Sequence, residues 1–205
     1  MASALQTATI DVQRRIRLVQ TITIAWMAME AALSLFAARR ARSPALLAFG
    51  GDSAIELLSA VTVLWGLRTH AARGPAEKRA ARIAGGLLFA LALYVIAASI
   101  MNLVRHSEAR PTLLGIVVLI AAAVVMPLLV KEKRKLSAAT GSASLRADAA
   151  QSATCACLSL IALGGLTANA VWHVAWADPL AALAIVPFVV WEGRGAMQGK
   201  PCGCS

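Results

Sequence analysis

The stretch Leu46-Leu47-Ala48-Phe49-Gly50-Gly51-Asp52-Ser53-Ala54-Ile55-Glu56-Leu57-Leu58-Ser59-Ala60-Val61-Thr62-Val63-Leu64-Trp65 decides how this chain is read. As a helix rising 1.5 Å per residue, it spans the ~30 Å hydrocarbon core of a bilayer. Its only charges are Asp52 and Glu56, four residues apart, so both lie on one helical face, one turn from each other. Inserting one carboxylate at mid-membrane costs about 2.5–3.5 kcal/mol, and a second beside it adds like-charge repulsion. Such a pair persists where a proton or a cation sits between its members.

The rest of the composition agrees with a membrane setting. The 205 residues are 59% hydrophobic and 15% charged, too few charges for a soluble domain of this size. The apolar residues come in runs of membrane-spanning length, which predicts an all-α, polytopic bundle of six transmembrane helices. The expected spans are about 18–38, 45–67, 83–104, 112–130, 145–171 and 180–191, the last short unless it begins near Trp172 or continues beyond Glu192. They divide the chain into a segment 1–17, a six-helix domain 18–193 and a tail 194–205 ending in Cys202-Gly203-Cys204.

A net charge of +10 with few aromatics does not point to nucleic acid, because the basic residues cluster between apolar runs. Most of the 20 Lys and Arg residues fall on the side of the two termini, so both termini are expected in the cytoplasm. Arg39, Arg40 and Arg42 run against that bias. The expected location is a bacterial inner (plasma) membrane. Cys155 and Cys157 lie inside an apolar run, a pattern unlike a secreted disulfide framework. No P-loop, nucleotide fingerprint or hydrolytic triad appears, so an enzyme is not expected.

Four acids fall inside the expected spans: Glu30, Asp52, Glu56 and Asp148. No Lys or Arg is expected deep enough to neutralise them, and buried acids without basic partners hold protons or bind cations. In the fifth span Asp148, Gln151 and Cys155 share one face, with Ser152 beside them. Packing the second span on the fifth would gather Asp52, Glu56, Asp148, Gln151 and Cys155 around a divalent cation. Zinc leads for such a donor set; cadmium, cobalt or another softer ion also suits a thiolate.

The segments Asp52 to Ser59 and Val63-Leu64-Trp65 resemble the second helix of the cation diffusion facilitators, the cation efflux family. Leu145-Arg146-Ala147-Asp148-Ala149-Ala150-Gln151 resembles that family's fifth helix, and Trp176-Ala177-Asp178-Pro179 the opening of its sixth. The resemblance covers the membrane part, about residues 14 to 193. The cytoplasmic metal-binding domain that the family often carries after the sixth helix has no counterpart before Ser205. It implies a homodimer that exports a divalent metal in exchange for protons, alternating between inward-open and outward-open states. Asp52 and Glu56 match the acid pair of the second helix. Where the family usually has a histidine and, four residues on, an aspartate in the fifth helix, this chain has Gln151 and Cys155.

Several residues admit a plainer reading. Glu30 is a ligand, a support for the ligands, or a partner of Asn102. Asp148 is a ligand or a helix cap. Gln151 is a ligand or interhelical glue, Cys155 a ligand or a small apolar filler. Cys202 and Cys204 are a soft-metal handover tail or a functionless end. Two other functions compete with metal efflux: a proton-coupled antiporter of an organic cation, and a non-transporting membrane protein that binds metal through Cys202 and Cys204.

Overall fold

The computed structural model describes residues 2–68, 75–105, 110, 112–140 and 143–198. Six helices follow one another: α1 (Ala2–Ala41), α2 (Pro44–Arg68), α3 (Pro75–Arg105), α4 (Leu113–Thr140), α5 (Ala143–Trp172) and α6 (Ala177–Met197). No strand occurs among the described residues. Helices α1, α3, α4, α5 and α6 each contain a segment long and apolar enough to cross a membrane. At 25 residues, α2 also has the length to do so. The chain is an all-α, polytopic membrane protein.

Large apolar side chains point outward on every helix, among them Leu93, Tyr94, Val104 and Leu113. In water this would be an aggregation surface; in a bilayer it is the face that meets lipid. Lipid tails are as apolar as leucine, so burial alone does not hold the helices together, and close packing of small residues does. The core accordingly mixes alanines (Ala38, Ala41, Ala45, Ala48, Ala122, Ala162, Ala182) with a few large residues such as Phe49, Leu119, Met126 and Ile185. At Gly50 a methyl group would sit 2.5 Å from Ser34 Oγ and 3.1 Å from Leu35 N, so this glycine lets α2 cross close against α1. Gly85 does the same for α3 against the Gly193 carbonyl of α6, whereas Gly86 faces open space.

The connections at one end are tight. Ser43 N donates to Ala38 O at 3.2 Å around Arg42, whose φ of 52° closes a left-handed helix stop. Pro44 then opens α2, where its fixed φ suits the first turn. At the same end Arg110 N donates to Ala41 O, and Asp178 of α6 accepts from Ser43 Oγ at 2.6 Å.

The opposite end holds a charge that the sequence reading put outside the membrane. The fourth span was expected to stop at Val130, but α4 continues to Thr140, and within the run Lys131-Glu132-Lys133-Arg134-Lys135 one residue turns inward. Lys133 is 0% exposed; its ammonium lies 2.9 Å from Asp148 Oδ1 and 2.8 Å from Ser152 Oγ. Asp148 also accepts from Gln20 Nε2 at 2.7 Å, so α1, α4 and α5 meet on one ion pair. This corrects the expectation that no basic residue reaches the acids. A helix continues past the edge of its apolar stretch, and an inward-facing lysine near that edge can bury its stem.

Two expectations follow. Gly50→Ala lowers the midpoint of a circular-dichroism melt in detergent by the equivalent of about 1–3 kcal/mol of overpacking, while Gly86→Ala does not lower it, because alanine is the better helix former where space is open. Asp148→Ala strands a buried ammonium and costs about 3–5 kcal/mol, whereas Lys133→Met leaves a partly exposed carboxylate and costs less; the same melts read the order.

Candidate metal centre

The site is built where α2, α5 and α6 meet. Asp52 and Glu56 project from successive turns of α2 into the bundle, 0% and 6% exposed. Glu192, four turns into α6, is buried against them. One carboxyl oxygen from each of Asp52, Glu56 and Glu192 lies within 4.8 Å of the other two. Gln151 of α5 spans the gap, its Nε2 donating to Glu56 Oε1 and to Glu192 Oε1, both at 2.8 Å. Neither oxygen of Asp52 has a hydrogen-bond partner among the described residues.

Three carboxyl groups buried this close together cannot all stay charged without compensation. Like charges this close repel strongly, and each has given up its hydration. The neutral amide of Gln151 supplies donors but no charge. Protons or a bound cation are compensation of the right sign, and a cluster of carboxylate oxygens is a donor set that divalent metals accept.

A second polar group adjoins this one. Glu30 of α1 is 1% exposed; its Oε2 accepts from Trp26 Nε1 at 2.7 Å, and its Oε1 from Ser53 Oγ at 2.8 Å and from Cys155 Sγ at 3.4 Å. Ser53, the neighbour of Asp52, also reaches the carbonyl of Phe49 at 3.1 Å, so its single proton has two acceptors. Asn102, a candidate partner of Glu30, instead donates to Arg42 O.

The structure thus sorts the expected residues into three places. Asp52, Glu56 and Gln151 meet at the carboxyl cluster. Cys155 is buried beside Glu30 and Ser53, with Cys157 exposed on the other side of α5. Asp148, one turn before Gln151, and Ser152, beside it, both turn to Lys133. Cys202 and Cys204 lie outside the described residues.

Glu192 was not among the expected site residues. The sixth apolar run, Leu180 to Trp191, is only 12 residues long unless it begins near Trp172 or continues beyond Glu192, and a membrane helix needs roughly 20. The shortfall itself was the signal that α6 runs on, as it does to Met197. Ser53 was passed over because a serine between two acids carries no charge to draw attention.

Comparison with curated proteins gave no match. The family model of the cation efflux transmembrane domain matches residues 20–196, most of the chain, from within the first helix to the end of the sixth and with every member of the carboxyl cluster. The chain belongs to the cation efflux family, and it is a cation efflux transporter embedded in the membrane.

Proposed function

We propose that the chain moves a zinc-like divalent metal ion out of the cytoplasm in exchange for protons, with Asp52, Glu56 and Glu192 as the ligands. The observation that carries this reading is the wholly buried Asp52, both of whose oxygens lack a hydrogen-bond partner among the described residues, placed beside two further buried carboxyl groups. An acceptor-only group in that state is arranged for a visitor rather than for a neighbour. Gln151 holds Glu56 and Glu192 together through its amide nitrogen.

The coupling follows from competition. Without metal, the cluster offsets its charge by holding protons; an arriving divalent ion displaces them, and protons from the far side displace the ion. One set of oxygens serves both fluxes, so neither crosses without the other. Asp148, already paired with Lys133, and Cys155, engaged by Glu30, stand outside the ligand set in this reading. An oxygen-rich set suits zinc, cobalt and manganese better than cadmium. The excess of basic residues at the end of the two termini supports placing that end in the cytoplasm of a bacterial cell. The homodimer rests on family membership.

Purified protein in liposomes tests the reading. Flux of Zn²⁺, Co²⁺, Mn²⁺ and Cd²⁺ is followed with a trapped indicator, with and without a pH gradient. Asp52→Asn, Glu56→Gln and Glu192→Gln are each expected to lower flux at least about tenfold, as loss of a metal-site residue does. Apparent metal affinity is expected to rise as pH rises on the loading side, because fewer protons then compete. Flux indifferent to a pH gradient would remove the antiport; wild-type flux in Asp52→Asn and Glu192→Gln would remove the site.

A further inference from the structure

The two helices that supply the three carboxyl groups start from one shared contact. Asp178, the second residue of α6, is 0% exposed; its Oδ1 accepts from Ser43 Oγ at 2.6 Å, and its Oδ2 lies 3.4 Å from the Ala45 amide. Ser43 Oγ in turn accepts from Leu46 N at 3.0 Å and caps α2. One buried carboxylate therefore serves two helix N-termini: it lies in the first turn of α6 and bonds to the first turn of α2.

The distances along the helices match. Glu56 lies 13 residues after Ser43, and Glu192 lies 14 after Asp178. At 1.5 Å per residue these are roughly 20 Å and roughly 21 Å, so two helices pinned at their starts and running side by side bring Glu56 and Glu192 to the same depth. A slip of α6 by one residue along α2 would move Glu192 by about 1.5 Å and turn it by about 100°.

We infer that Asp178 is a positioning residue for metal binding: by bonding to Ser43 and the start of α2, it sets the axial register of α6 against α2 and so the spacing of Glu192 from Asp52 and Glu56. It touches none of them. The inference rests on the proposed role of those three carboxyl groups as ligands.

The test uses the full chain in detergent, with Co²⁺ as the probe because its visible absorption reports the number and arrangement of its ligands. Wild type, Asp178→Ala, Ser43→Ala, the double variant, Asp178→Asn and Glu192→Gln are titrated, and each sample is first checked for a folded, monodisperse state. Asp178→Ala and Ser43→Ala are each expected to weaken Co²⁺ binding about tenfold and to alter its spectrum, with the double variant no worse than the weaker single, as befits one shared contact. Asp178→Asn, which keeps one acceptor oxygen, is expected to lose about threefold; it carries the test should Asp178→Ala fail to fold. Folded Asp178 and Ser43 variants with wild-type affinity and spectrum would overturn the inference even if their melting points fell, for a purely structural contact predicts that result. If Glu192→Gln binds Co²⁺ as wild type does, the ligand assignment itself fails and takes the register argument with it.

Discussion

Three carboxyl groups from two helices, buried within reach of one another, impose a condition on everything around them. Asp52, Glu56 and Glu192 can share their pocket only when something positive is present, and the described surroundings contribute a neutral amide rather than a cation. A buried lysine does exist in this bundle, yet it is spent on Asp148 a turn away along α5. Had Lys133 reached Glu56, the cluster would have been a permanent structural ion pair. Its placement elsewhere keeps that charge on Asp148 and Ser152 instead.

The packing serves that condition. Helices in lipid gain little from burying apolar surface, so their positions are set by small-residue crossings and by a few polar bonds. Gly50 brings α2 against α1 two residues before Asp52, where Glu30 of α1 meets Ser53. At the start of the same helix, the bond between Asp178 and Ser43 ties α2 to α6. The acids of the pocket are thus held by contacts that are themselves neutral or remote.

Much of this could be read from the chain. Apolar runs of membrane length gave six helices, and the four-residue spacing of Asp52 and Glu56 put two acids on one face without any structure. What escaped lay at the ends of the runs. Hydropathy falls wherever charge appears, so the sequence places Lys133 in a loop and leaves Glu192 at an undecided helix end, although a helix continues past its last apolar residue and can rotate a charged side chain back inside. Cys155 and Gln151 were correctly placed on one face of α5, but a shared face spans enough arc to address two different neighbours: Gln151 meets α2 and α6, and Cys155 meets Glu30 of α1. Spacing along one helix gives direction; which partner stands in that direction is a property of the fold.

The adjacency of Gln151 and Ser152 on α5 has a mechanical meaning. Gln151 is bonded to the α2–α6 pair, whereas Ser152 is bonded to Lys133 of α4. Consecutive residues on a helix point about 100° apart, so α5 is stitched on two sides at the same height. It cannot swing away from either flank without undoing one of the two seams. A passage to the buried oxygens that opens beside α5 must tear along the amide seam or along the ammonium seam, and the choice decides which helices travel together as one rigid half.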